Sequence, residues 1–172
     1  MEETNVSMKS VAIKYGVING LIAIIFFIII DFAGLYDNQY LNWVGVLVTA
    51  ALIFFAQKEY LREGDGYMNY GQGVGLGTLL ALVSSCISAV FTFIYVKFIN
   101  TSFIENIKEV QRMSMEEQGM SDDQIDQALS ISEKFMTPGM MVVFGIVGGV
   151  IAGVIISLII SAINKNSRPE FE

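Results

Sequence analysis

Four hydroxyl side chains stand close together in one apolar stretch: Ser84, Ser85, Ser88 and Thr92. On a helix of 3.6 residues per turn, Ser84, Ser88 and Thr92 follow one another along one side, with Ser85 next to them. A serine nucleophile needs a base within reach. The chain has no His, and no Lys or carboxylate lies at a helical spacing from these hydroxyls. Nucleophilic catalysis therefore lacks its proton acceptor, and no enzyme activity is expected. The plain reading is that each hydroxyl bonds its own helix carbonyl one turn back. The sharper reading is a polar lining for a small solute. Asn19 is the deepest strongly polar side chain of a second apolar stretch. It is expected to bond a neighbouring helix rather than a substrate. Asn19, Ser84, Ser85, Ser88 and Thr92 are the candidate lining. No charged side chain accompanies them, so an ion- or proton-coupled step has no carrier.

Other candidate chemistries fail on inspection. Gly71 to Gly77, GQGVGLG, resembles a nucleotide loop, but the third glycine of GxGxxG falls on Leu76 or Thr78 and no GK[ST] follows. It reads as a flexible, close-packing entry to an apolar span. Cys86 is expected to be enclosed and inert, and a single Cys excludes an internal disulfide framework and CxxC sites. Met113, Met115 and Met120 offer thioethers to copper, but read better as fillers of irregular apolar contacts. No cofactor and no metal is expected.

The elements that position these residues follow from composition. Of 172 residues, 53% are apolar and 16% charged. A soluble domain carries about 25% charged residues, so this chain cannot cover a water-facing surface. The net charge of -7 argues against a nucleic-acid partner, and none is expected. A spanning helix needs about 20 mostly apolar residues. Four stretches qualify, at about 11–30, 41–60, 74–99 and 140–163. The predicted fold is an all-α membrane protein: one membrane domain over 1–172, with four transmembrane helices and an extracytoplasmic helical hairpin at 100–137. After the first span, Asp31 to Gly34 make a poor cleavage site for a signal peptidase, so that span is expected to be retained. Lys14, Asp31, Lys58 and Lys97 lie near span ends, where interfacial anchoring is the expected role and Lys14 is expected to snorkel.

Basic residues accumulate on the cytoplasmic side. Lys9, Lys14, Lys58, Arg62, Lys165 and Arg168 share one side, six of the ten basic residues. The loop after the first span holds Asp31 and Asp37 and no base. The loop after the third span, counted with Lys97 at its edge, holds four bases, Lys97, Lys108, Arg112 and Lys134, against eight acids: Glu105, Glu109, Glu116, Glu117, Asp122, Asp123, Asp126 and Glu133. Both termini are therefore expected in the cytoplasm. Within the acidic segment, Phe103, Ile107 and Val110 form one stripe. Gly119 stops that helix. Ser121 with Gln124 is a capping-box pattern, with Asp122 and Asp123 in the first turn. Ile125, Leu129 and Phe135 or Met136 fall on roughly one side. Thr137–Pro138 reads as cap and first position of the fourth span. This segment is the candidate surface for a protein partner.

Span four carries a small residue at every fourth position: Gly145, Gly149, Gly153, Ser157 and Ser161. Small residues let helices approach closely in lipid. A shorter row, Ala12, Gly16 and Gly20, lies in span one. Span three has Gly73, Gly77, Ala81 and its serines. Packing within the chain is the first reading of these rows; a homo-oligomer through span four is the alternative.

The run GYMNYGQGVGLGTLLALVSSCISAVFTFIYVKFI resembles the centre of a family of small bacterial membrane proteins, mainly from Bacteroidetes. So does SDDQIDQALSISEKFMTPGMMVVFGIVGGVIAGVIISLIISAI. The family is classified as a domain of unknown function, number 4199. The resemblance covers almost the whole chain. It implies four spans, an outer helical segment before the last, and the bacterial inner membrane; it carries over no catalytic or ligand residue. Two classes remain open. One is an accessory or structural protein acting through helix packing or its acidic segment. The other is a small oligomeric solute transporter or channel. The absence of matching broken spans in two halves weighs against the second.

Overall fold

A computed structural model describes residues 7–36 and 38–168 of the chain. Asp37, counted above in the first loop, lies outside them. Six α-helices follow in order: α1 (Met8–Ala33), α2 (Gln39–Glu63), α3 (Tyr70–Ile94), α4 (Phe103–Glu117), α5 (Asp122–Phe135) and α6 (Pro138–Asn164). A π-helical turn, Tyr95–Ile99, continues α3. No strand occurs among the described residues; one isolated bridge joins Met68 and Asn166. Four helices are long and apolar enough to cross a membrane: α1, α2 from Trp43, α3 with its π turn, and α6. At 1.5 Å per residue, a 26-residue helix is about 39 Å long and overreaches a hydrocarbon core of about 30 Å.

Local chemistry sets the ends. Gly34 closes α1 with φ +64, a left-handed conformation that glycine adopts without a Cβ clash. The Asn38 side chain accepts from the Tyr40 N–H to open α2. Asn69 and Gln72 form a full capping box at α3, with both bonds at 2.8 Å. α3 therefore begins at Tyr70, and the glycine-rich segment is helical from its start rather than a flexible entry. Gly119 ends α4 at φ +79. Gln124 accepts from the Ser121 N–H, and Thr137 caps α6 ahead of Pro138.

Glycine positions explain why α3 lies between α1 and α6. On the α1 side, a Cβ at Gly16 would stand 2.9 Å from the Leu80 carbonyl and 2.8 Å from Val83 Cβ, and one at Gly20 would stand 3.0 Å from Ile87 Cβ. On the α6 side two rows of period four mesh in antiparallel register. Gly73 meets Ser161, Gly77 meets Ser157, Ala81 meets Gly153, and Ser85 meets Gly149. The next step would set Ala89 against Gly145. There the row stops, because a Cβ at Gly145 would meet nothing within 4 Å. Below that point, toward the termini, α2 closes the bundle. Val11, Ala12, Ile53, Ala56, Leu76 and Leu80 form one buried cluster there. Gln57 is fully buried with them; its Nε2 donates to the Gly73 carbonyl at 3.0 Å and to Ser161 Oγ at 2.8 Å. Asn164 Nδ2 donates to Gln57 Oε1 at 3.2 Å.

The outward faces of the spans carry Leu21, Ile25, Leu47, Phe55, Val90, Val147, Ile151 and Ile159, all exposed. An apolar surface of that extent fits hydrocarbon and not water. Cys86 is on this outer surface, not enclosed as expected. The reason is rotational: Ser84 and Ser85 already face α1 and α6, which turns residue 86 outward.

Beyond the spans, α4 and α5 are joined by Lys108 to Glu133 at 2.7 Å and by Arg112 to Asp126. Phe103 is buried and packs against Phe27 and Tyr36, with ring centroids 5.3 and 5.8 Å apart. Ile125 is fully buried, whereas Phe135 is half exposed and meets Phe144 edge-on.

Candidate functional site

Where the α3–α6 register ends, the bundle opens. A cavity of about 580 Å³ lies between α1, α2, α3 and α6, in the half of the spans away from the termini. All five residues of the expected polar lining, Asn19, Ser84, Ser85, Ser88 and Thr92, line it. So do Gly145, Gly149 and Gly153 of the small-residue row; Ser157 and Ser161 lie deeper, against α3, and Gly16 and Gly20 lie in the α1–α3 contact. Among the described residues, no Asp, Glu, Lys or Arg lines the cavity.

Near its deep end a layer of polar bonds crosses three helices, with Ala81 and Ile156 lining the cavity a turn further in. Asn19 Nδ2 donates to Ser84 Oγ at 2.9 Å, and Thr49 Oγ1 donates to Asn19 Oδ1 at 3.4 Å. Asn19 thus binds a neighbouring helix, as its position suggested. Under this layer lie Ile53 and Leu80, both fully buried. On α6, Ser157 donates to its own Gly153 carbonyl at 2.6 Å, the back-bond expected of helical serines. The α3 hydroxyls behave differently. Ser84 is held by Asn19, and among the described residues no hydrogen bond is made by Ser85, Ser88 or Thr92.

Thr49 and Gly45 also line the cavity, and sequence reasoning missed both. The available signal was spacing: Gly45, Thr49, Ile53 and Gln57 recur every four residues along α2. A Cβ at Gly45, as at Gly145, would meet nothing within 4 Å. The two glycines leave the width of the cavity open from opposite walls.

Two polar clusters fix the ends of the bundle. At the end near α4, Asp31 accepts from the hydroxyls of Tyr36 and Tyr95 and from Asn100 Nδ2, the last at 3.1 and 3.2 Å. The π turn makes this possible. Its extra residue, marked by the Asn100 N–H to Tyr95 carbonyl bond at 2.8 Å, brings Tyr95 and Asn100 to the same carboxylate. Tyr36 is in the loop, and burial, followed by its bond to Asp31, pushes its hydroxyl up to about 12. At the opposite end Lys14 Nζ contacts both Glu59 oxygens at 2.9 Å, and Tyr15 donates to Glu59 at 3.0 Å. Lys14 was expected to snorkel; Glu59, a partner that the sequence reading did not name, holds it there. In the loop after α2, the Tyr67 N–H and then Arg168 hold the Asp65 carboxyl below its ordinary range.

Between α4 and α5, Met115 and Met120 line a smaller hollow of about 460 Å³, while Met113 is half exposed. The three thioethers do not converge. No group of three or more Cys, Asp or Glu side chains that would hold a metal occurs among the described residues.

The profile of a family described as "Protein of unknown function (DUF4199)" matches residues 14–166. Neither the curated proteins nor the solved structures contain a match to the chain.

Proposed function

Because the chain belongs to the DUF4199 family, whose function is unknown, we propose its role from its own geometry: an accessory protein of the bacterial inner membrane that binds and holds, and neither converts nor conducts. One observation carries this reading. The cavity is blind, since the Asn19–Ser84–Thr49 layer and the apolar cluster beneath it close its deep end. A solute path through one chain would have to cross both. A catalytic reading lacks a base or a nucleophile of altered reactivity among the lining residues.

The acidic segment supplies the surface for a partner. All eight of its carboxylates are exposed, and among the described residues only Asp126 and Glu133 are paired, with Arg112 and Lys108. An exposed field of one sign favours a basic partner and is screened by salt. With the termini in the cytoplasm, this surface lies outside it.

Gentle affinity purification of the tagged protein from its own membranes, with native mass measurement, tests the reading. The expected result is a stoichiometric foreign partner that raised salt releases. A homo-oligomer alone that passes small solutes across liposomes would overturn it. That outcome is the second reading, an oligomeric transporter or channel, and the hydroxyl lining favours it. Its path would lie between copies. The small row of α6 faces α3 from Gly149 to Ser161. A contact between copies through α6 would therefore use the opposite face, where Val143, Val147, Ile151 and Ile155 are exposed.

A further inference from the structure

We propose that the cavity between α1, α2, α3 and α6 holds one acyl chain of a bilayer lipid, with Ser88 and Thr92 donating to its ester carbonyl. Four observations lead there. First, the walls are apolar apart from hydroxyls and one amide, and none of the lining residues is charged; the occupant is therefore uncharged over its buried length. Second, the cavity opens sideways. Ile22, Val44, Val46 and Gly145 line it and are also exposed on the outside of the spans, where the surrounding phase is hydrocarbon. A water-soluble molecule does not reach that opening. Third, the depth fits one leaflet. Thr92 lies one helical turn below Tyr95, whose hydroxyl meets Asp31 at the span end. Eleven residues further down, Ala81 marks the deepest lining on α3, about 16 Å below Thr92 on a helix. Half of the hydrocarbon core is about 15 Å. A chain entering from the leaflet nearest α4 therefore places its ester group near Thr92 and its tail at the deep end. Fourth, the hydroxyls at the shallow end, Ser88 and Thr92, make no hydrogen bond among the described residues. A hydroxyl facing hydrocarbon gains from an acceptor there.

The proposal rests on the holding role above. It is tested with the full chain in vesicles of phosphatidylethanolamine and phosphatidylglycerol that contain phosphatidylethanolamine with a diazirine along one acyl chain. After photolysis, adducts are mapped by peptide. The expected pattern has adducts on the lining residues of α1 and α2, at Ala23, Phe26 and Thr49, together with adducts on the outward face at Ile155 and Ile159. Gly145→Leu and Gly45→Leu each build a side chain into open space, so folding survives. Each is expected to lower the cavity adducts at least fivefold and to leave the outward ones unchanged. Ser88→Val with Thr92→Val is expected to lower the cavity adducts at least twofold. Adducts confined to the outward face would overturn the proposal. So would cavity adducts that neither glycine variant reduces, or a disulfide between two copies through Gly45→Cys. Solute flux by the wild-type protein would sink the holding role and leave the adduct map standing, so the two failures are told apart.

Discussion

Asn19 and Gln57 show how much one buried polar group decides inside a bundle of this kind. Each reaches two other helices, and each is buried. Gln57→Leu removes the acceptor for Asn164, whose Oδ1 is already without a partner among the described residues. Leaving a buried amide unpaired costs about 1–3 kcal/mol, more than the roughly 0.6 kcal/mol average for a hydrogen bond between spans. Thermal unfolding in detergent should show that loss, and an unchanged midpoint would mean that the bond layer contributes nothing. Tyr36 gives a pH prediction. Its hydroxyl in the folded protein titrates near 12, above the ordinary value of about 10. The stability that it contributes is intact below about pH 10 and is lost as the pH rises through about 12. Tyr36→Phe should abolish that part of the alkaline decline in unfolding midpoint. Asp31→Asn should lower the Tyr36 value only in part, since burial is the larger cause.

At the scale of elements, α3 is the frame to which α1 and α6 are fastened by glycine contacts. Gly149→Leu drives a side chain into Ser85 of α3. Overpacking of this sort costs about 1–3 kcal/mol, so the unfolding midpoint should fall. Gly145→Leu, one turn away on the same row, meets open space and should not lower it. Equal effects from the two would contradict the α3–α6 register. The α3 capping box is a second element-scale device, and Asn69→Ala should cost about 1 kcal/mol, read by the same melts. The rows themselves were legible from the period of four. Their partners were not, because Gly73 and Ser161 are 88 residues apart and only a fold brings them together.

At the scale of the whole molecule, the asymmetry is between a tight end and an open end. The termini end is sealed by Gln57, the apolar cluster and the Lys14–Glu59 pair. The other end spreads around the cavity and carries the acidic α4–α5 surface. The charge distribution predicts cytoplasmic termini. A reporter fused after Glu172 should work only in the cytoplasm, and one inserted at Gly119 only outside it. Activity in the reverse places would put the acidic surface in the cytoplasm and change the class of partner.

Composition and spacing alone determined the environment, the number of spans, and the caps at Ser121 and Thr137. They also determined which residues are small enough for close contact and which hydroxyls share a side. These are properties of local chain geometry, and one dimension is enough to read them. The pairing of helices was decided only in three dimensions. So was the failure of the α3–α6 register at Gly145, and so were the roles of Thr49, Gln57, Glu59 and Asn100. A row of small residues has the same period whether its partner helix follows it to the end or departs from it. The cavity exists because α6 stops following α3 one step before the row ends, and that divergence is set by the bulk of every neighbouring side chain at once.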